Sequence, residues 1–280
     1  GCEKIFTDEN PDAVMILGDT NSAVAAIVAE RMEIPVYHME AGNRSFDLNV
    51  PEELNRRMVD HVATFNLPYN SYSEKNLRNE GIHSRSLLKT GSPMREVLRF
   101  YEHDIEGSDV LERMQLESGS YILASIHRQE NVDTKARLSQ LLDSLAALSE
   151  TFGTRVLVST HPRTRLSLES KKLTPHPSLE FVQPFGFLDY CKLQMKAKLV
   201  ISDSGTVSEE SAILGFPAVT PRDSMERPEG LEAGSICLTG LEKAGVLRGA
   251  HQVLRARAES SHPMPEGYEV ENFSERVLNF

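Results

Sequence analysis

The sequence has only three cysteines, Cys2, Cys191 and Cys237, and no CxxC pair. That argues against a disulfide framework and against a structural zinc site. It also lacks a basic surplus: 30 Lys and Arg stand against 41 Asp and Glu, a formal charge of −11. A dedicated nucleic-acid binder shows the opposite balance, so nucleic acid is not an expected partner. An anionic ligand would need a local pocket of positive potential. No apolar run approaches the ~20 residues of a membrane span, which removes the membrane as a partner. Gly1 stands where a Met would open a chain, and Gly1-Cys2-Glu3-Lys4 is neither a signal nor a transit peptide. The amphipathic run 273–280 carries no helix stop signal. These features read as a cytoplasmic, acidic protein whose sequence is cut at both ends.

What is present is ample for folding. The 280 residues are 40% hydrophobic and 25% charged. At ~150 residues per domain that suggests two domains, each with its own core. Short Val-, Ile- and Leu-rich runs alternate with longer helical patterns. The first half predicts strands at 13–17, 35–38, 64–67 and 86–89, with helices at 21–32, 52–63 and 71–80. A Gly91-Ser92-Pro93 break follows, then a polar helix over 94–114. The second half predicts strands at 121–126, 155–160, 179–182, 198–202, 218–220 and 235–238, with helices such as 134–150 and 207–214. Apolar runs without polar alternation suit parallel strands covered on both faces, and the β-α-β rhythm implies right-handed crossovers. The expected architecture is α/β, with domains at 1–92 and 93–280.

In such sheets ligands bind at the carboxyl ends of strands, and six polar blocks fall there. Gly18-Asp19-Thr20-Asn21 reads as a turn in which Asp19 or Thr20 caps a helix, or as a carboxylate at a site. Glu40, in His38-Met39-Glu40-Ala41-Gly42-Asn43-Arg44, has no capping pattern before it, and Arg44 is a possible ion-pair partner. Val50-Pro51-Glu52-Glu53-Leu54-Asn55-Arg56-Arg57 reads as a helix start, which leaves Glu52 on a helix end. His127 and Arg128 end a strand in a pattern that suits phosphate, and His161 and Arg163 repeat it. In Ser202-Asp203-Ser204-Gly205-Thr206-Val207-Ser208-Glu209-Glu210 a strand enters a tight turn and then a helix, which makes an anion site. A capping box, Thr206-x-x-Glu209, accounts for Glu209 but not for Glu210. The charged loop 222–230 reads as solvated, at the same edge.

These blocks, in this order over about 12–275, resemble the non-hydrolysing UDP-N-acetylglucosamine 2-epimerase family. The wording of 38–44, of Asn49-Val50-Pro51-Glu52-Glu53 and of Glu226-Arg227-Pro228-Glu229-Gly230 is similar to the capsule and O-antigen branch. That branch makes UDP-N-acetyl-L-fucosamine from its L-talose epimer. The resemblance implies a GT-B-like pair of Rossmann-type parallel-sheet domains, a UDP-N-acetylhexosamine substrate in the cleft they face, a homodimer, and no metal or other cofactor. It implies that Asp19, Glu40 and Glu52 form the acid–base set, without saying which serves which face. It places His127 and the Ser204-Gly205-Thr206 turn at the diphosphate, with His127 also counted as catalytic. His161 falls at the nucleotide, Glu210 at the ribose and Tyr190 at the uracil. Arg44, Glu53, Arg56 and Arg227 join the substrate-binding set. The family's opening strand and glycine loop have no counterpart here, so the first domain is expected to be incomplete and this stretch alone unstable or inactive. A UDP-sugar glycosyltransferase, a hydrolysing epimerase and a non-catalytic nucleotide-sugar-binding paralogue are the competing readings.

Overall fold

A computed structural model describes residues 1–48, 50–174, 176–259 and 264–280; Asn49 of the Asn49–Glu53 block lies outside them. The chain divides into two compact units. Unit 1 comprises 1–96, 226–229 and 266–280, and unit 2 comprises 97–225 and 230–265.

Unit 1 opens with α1 (Cys2–Glu9), β1 (Val14–Leu17), a 3-10 turn (Asn21–Val24), α2 (Ala25–Arg31), β2 (Val36–Met39), α3 (Pro51–Val62), β3 (Phe65–Leu67) and α4 (Ser71–Asn79). Its sheet has the order β1-β2-β3, all parallel. One face packs Ile16 and Val36 against Val59 of α3, Ala23 of the 3-10 turn, and Ala26 and Ala29, small residues that let α2 approach closely. The Glu30 carboxylate at the end of α2 accepts from Thr64 N at 2.7 Å and Val36 N at 3.3 Å, so one side chain anchors the starts of β2 and β3. The other face carries Met39, Leu67 and Tyr69 with Val270 and Phe273. The edge strand β1 leaves Met15 and Leu17 exposed.

Two expectations fail here. The segment 86–89 is not a strand: a 3-10 turn (Ser84–Ser86), closed by His83 Nδ1 accepting from Arg85 N, leaves one parallel bridge, Asn66–Leu87. The first sheet therefore has three strands rather than four. The polar helix over 94–114 is three helices, α5 (Met94–Phe100), α6 (Glu102–Gly107) and α7 (Val110–Arg113). Tyr101 breaks the first junction, and at the second the Ser108 hydroxyl donates to Asp189 and accepts from Val110 N.

Unit 2 continues with β4 (Tyr121–Ser125), α8 (Gln129–Val132), α9 (Lys135–Phe152), β5 (Arg155–Ser159), α10 (Pro162–Ser170), β6 (Leu179–Val182), α11 (Phe187–Lys196), β7 (Leu199–Ser202) and α12 (Val207–Leu214). Then come β8 (Ala218–Thr220), α13 (Pro228–Glu232), whose first two residues belong to unit 1, β9 (Ile236–Leu238) and α14 (Lys243–Glu259). The last helix, α15 (Phe273–Leu278), belongs to unit 1, where Phe273 meets Tyr69 edge-on and Phe280 packs on Phe65.

The six strands of unit 2 are parallel in the order β6-β5-β4-β7-β8-β9. Numbered within the unit, this is the Rossmann order 3-2-1-4-5-6, whose switch point lies between β4 and β7. Alternate residues of β4 face opposite cores: Ile122 and Ala124 pack with Leu138, Leu141 and Leu145 of α9, and Tyr121 and Leu123 with Leu193 and Val207. Both faces are covered, which is why these strands lack polar alternation. Among the described residues, no helix is long and apolar enough to cross a membrane.

Gly42 shows how tightly unit 1 is built behind its second strand. Its φ is +81°, and a Cβ there would lie 2.3 Å from the Ser73 carbonyl oxygen and 2.8 Å from Leu77 Cγ. Backbone cannot yield as a side-chain tip does. Gly42→Ala is expected to cost about 3 kcal/mol or more, read as a lower midpoint in urea unfolding; an unchanged midpoint would show that α4 moves freely.

Candidate active site

Three elements of unit 1 deliver charged groups to one place. β1 ends at Gly18, whose positive φ of +71° turns the chain and presents Asp19. β2 ends at Glu40, itself held at φ +63°, a left-handed conformation uncommon outside glycine. α3 contributes Arg56, buried at 3% exposure. Its guanidinium donates to the Asp19 carboxylate and to the Glu40 carbonyl, and lies 3.4 Å from Glu40 Oε1. Glu40 Oε1 also accepts from Arg227 Nη2 at 2.9 Å and from Asn43 Nδ2 at 3.1 Å. All three side-chain donors thus meet one oxygen. The other, Oε2, lies 3.2 Å from where a Gly18 Cβ would stand, so glycine leaves room for it.

The two carboxyls are pushed apart electrostatically. Burial drives Glu40 upward, but Arg56, Arg227 and the hydrogen bond from Arg227 outweigh it and hold its pKa at about 2. Burial also drives Asp19 upward; there the opposition from Arg56 is weaker and Glu40 adds repulsion, so its pKa ends raised. One group is a firm carboxylate and its neighbour is biased toward the acid form.

Behind this pair is a second buried cluster, in which the candidate Arg44 joins His38, Asp60 and Glu80. His38 is fully buried between Asp60 Oδ1, 2.8 Å from Nδ1, and the Gly18 carbonyl, 2.9 Å from Nε2. Burial pushes the Asp60 carboxyl up, but His38 and Arg44 reverse that and leave it lowered. Arg44 bridges Asp60 Oδ2 at 2.7 Å and Glu80 Oε2 at 2.6 Å. Arg44 is therefore not the ion-pair partner of Glu40; Arg56 and Arg227 take that place. Glu53 is also buried, with Oε2 accepting from Ser45 N and Oγ and Oε1 from Arg57 Nε. Glu52 is exposed on the first turn of α3 and has no hydrogen bond or ion pair among the described residues. The sequence does carry one sign of this arrangement: Glu53, Arg56 and Asp60 recur at helical spacing, a polar stripe on the buried side of α3.

The local readings of three motifs also change. Thr20 makes no side-chain capping bond; its hydroxyl meets Ser22, and Asp19 meets Arg56. Thr206 makes no cap either: its hydroxyl donates to Glu210 Oε1 at 2.7 Å, so there is no capping box with Glu209. In the loop 222–230, expected to be solvated, Arg222, Arg227 and Glu229 are buried, the last accepting from Tyr268 Oη at 2.8 Å.

Unit 2 places its candidates at the two strands flanking its switch point. His127 and Arg128 follow β4, and the Ser204-Gly205-Thr206 turn follows β7 and leads into α12. Asp203, fully buried, ties them together: it accepts from His127 N at 3.0 Å, Arg128 N at 3.0 Å and Asn131 Nδ2 at 3.0 Å. Arg128 Nη2 lies 3.9 Å from a Cβ built on Gly205. The His127 and His161 rings are 5.4 Å apart. Burial, together with His161, Arg128 and Arg163, lowers the His127 pKa against the pull of Asp203. His161 Nδ1 accepts from Arg163 N, which turns its Nε2 outward. Glu210 is held from both sides, Oε1 by Thr206 and Oε2 by Gln194 Nε2. Tyr190 packs its ring partly into the core, its phenol within reach of Ser125 and Ser202. Asp203 and Gln194 escape a sequence reading because their roles are to hold other groups.

The fold is that of an α/β protein of GT-B-like class, with parallel sheets of three and six strands. The profile of the family described as UDP-N-acetylglucosamine 2-epimerase matches residues 1–280. The chain belongs to that family. It is 32% identical to UDP-N-acetylglucosamine 2-epimerase of Methanocaldococcus jannaschii over 99% of this chain and 78% of that protein. The crystal structure of that protein in complex with UDP-GlcNAc and UDP matches with a TM-score of 0.91, over 99% of this chain and 77% of that one. The UDP-N-acetylglucosamine 2-epimerase of Rickettsia bellii matches with a TM-score of 0.89 and 37% identity, over 99% of this chain and 75% of that one. A UDP-2,3-diacetamido-2,3-dideoxy-D-glucuronate 2-epimerase of Pseudomonas aeruginosa is 31% identical over 90% of this chain and 70% of its own length.

Proposed function

We propose that the site interconverts the C2 epimers of a UDP-N-acetylhexosamine by eliminating UDP and adding it back. The observation that carries this reading is the pair Asp19 and Glu40 on one buried guanidinium, one carboxyl held ionised and the other biased toward its acid form. The C2 hydrogen is not next to a carbonyl and is not acidic as it stands. Cleavage of the anomeric C–O bond changes that: UDP leaves with the electron pair, and cationic character at C1 acidifies C2. Glu40 Oε2 then takes the proton, and the C1=C2 bond of a 2-acetamidoglycal forms. Asp19 delivers a proton to the opposite face as UDP returns, and in the reverse reaction the two exchange roles. Glu52, exposed and without a hydrogen bond or ion pair among the described residues, is the third carboxylate and meets the sugar.

In unit 2 the Ser204-Gly205-Thr206 turn and the N-terminus of α12 take the diphosphate with His127 and His161. The charge of UDP supplies the anion that His127, Arg128 and Arg163 crowd around. Glu210, fixed by Thr206 and Gln194, accepts from ribose hydroxyls, and Tyr190 meets the uracil. The family's range of sugars includes that named for the Pseudomonas relative. Within that range we propose the UDP-N-acetyl-L-fucosamine branch, on the wording of 38–44 and 226–230, with the protein a cytoplasmic homodimer.

Solvent deuterium exchange followed by NMR tests the reading. The protein is incubated in D2O with UDP-N-acetylglucosamine and, separately, with the UDP-L-talose-type sugar. Deuterium at C2 of the L-sugar with UDP retained is the expected result. Exchange confined to UDP-N-acetylglucosamine moves the substrate to the parent branch. UDP binding without exchange on either sugar overturns the epimerase reading.

A further inference from the structure

His38 is a buried titratable group that the reaction above does not use, and its surroundings constrain it severely. Nε2 faces the Gly18 carbonyl at 2.9 Å, which can only accept. Nδ1 faces Asp60 Oδ1 at 2.8 Å. Asp60 accepts in addition from Gly42 N, 3.3 Å from Oδ1 and 3.2 Å from Oδ2, and its Oδ2 lies 2.7 Å from Arg44 Nη2. A neutral His38 donating to Gly18 would need Asp60 to carry a proton aimed at Nδ1. That would leave Arg44 beside an uncharged carboxyl inside the protein, at a large electrostatic cost. With Asp60 ionised, both acceptors are satisfied only if both ring nitrogens carry hydrogen.

We propose that His38 is a doubly protonated positioning residue, an imidazolium clamped between Asp60 and the Gly18 carbonyl that fixes the Gly18–Asp19 turn against Glu40. The proposal rests on the assignment of Asp19 and Glu40 as the acid–base pair. His38 reaches both. Its Nε2 holds the carbonyl of the residue directly before Asp19, and its backbone lies two residues before Glu40 on the same strand end. The charged groups around it are Asp60 of α3, Arg44 with Glu80 beyond Asp60, and Glu40 with Arg56 on the strand-end side. Asp60 is shared with Arg44 and Gly42, so it anchors the whole turn after β2 as well. The positive ring also favours the ionised form of Glu40. His38 touches no reacting atom; it acts through the position of Asp19 and the charge of Glu40.

Two measurements on the full chain test this. In the uniformly 13C,15N-labelled protein at pH 7, with the His38 ring assigned through its own backbone, both His38 ring nitrogens should appear as N–H nitrogens. A lone-pair nitrogen in the folded protein overturns the proposal, and this spectrum is decisive even if the variant folds poorly. In the exchange assay His38→Gln should lower kcat by about 10²-fold, the loss typical of a misplaced reacting group, with KM little changed. The acid limb of its pH–rate profile should move to higher pH, because Glu40 loses a positive neighbour. A merely structural role lowers the amount of active protein without moving that limb, so a folded variant with an unmoved limb also overturns the proposal. A wild-type protein with no C2 exchange fails the epimerase reading instead, and the nitrogen spectrum still reports on the ring.

Discussion

Glu40→Gln is expected to lower C2 deuterium exchange by about 10²–10⁴-fold, the range for loss of a positioned acid–base group, while the protein stays folded. Glutamine is isosteric, and its carbonyl can occupy the place of Oε1 and accept from Arg227, Asn43 and Arg56. Its amide then stands at the Oε2 position with no lone pair to take a proton. KM should change little, because the loss falls on the transition state. A variant that keeps a tenth or more of the exchange rate would remove Glu40 from the chemistry.

The same variant has a pH signature in stability. The folded-state pKa of Glu40 is depressed from 4.5 to about 2. A group depressed on folding contributes stability that is present above its unfolded pKa and lost as pH falls through the folded one. The difference between wild type and Glu40→Gln should therefore be largest above about pH 5 and shrink toward pH 2. Asp19 has the opposite sign: its raised pKa means that stability is lost as pH rises from the ordinary carboxylate range through its folded value.

Arg56→Leu is expected to destabilise unit 1 by about 3–5 kcal/mol, the cost of breaking a buried ionic cluster by removing one partner. Arg56 is 3% exposed and is shared by the Asp19 carboxylate and by the carbonyl and carboxylate of Glu40. Leucine fills part of the volume but leaves two enclosed carboxyls with Arg227 as the cation bonded to Glu40. The Asp19 pKa should rise further, and C2 exchange should be lost with it. Guanidinium unfolding at pH 7 and pH 4 checks this. The penalty should be smaller at pH 4, where protonation relieves the exposed-to-nothing carboxylate; a penalty below about 1 kcal/mol at pH 7 would mean that water replaces the guanidinium.

The alternation of apolar runs and helical patterns was enough to read an α/β chain of parallel strands, because a strand buried on both faces has to be apolar at every position. All six strands of unit 2 lie where that pattern puts them, within a residue at each end. Segment 86–89 imitates a strand for the same reason: Leu87 and Leu88 are apolar enough for one, and the turn closed by His83 is a hydrogen-bond decision invisible to hydropathy. Asp19, Glu40, His127 and Gly205 were legible as candidates because they lie in the turns past the carboxyl ends of parallel strands, where such sheets bind ligands.

What pairs with what was decided only in three dimensions. Arg44 and Arg56 sit in equally charged surroundings along the chain, yet Arg44 goes to Asp60 and Glu80 and Arg56 to Asp19 and Glu40. The segment 226–229 returns to unit 1 from the middle of unit 2, and only that return brings Arg227 to Glu40. His38, Asp60, Asp203 and Gln194 matter through the groups they hold. Residue type and order determined the class of the fold and the chemistry on offer. Ion pairs and buried hydrogen bonds act over a few ångströms between residues far apart in sequence, so the acid–base asymmetry of Asp19 and Glu40 exists only once the chain is folded.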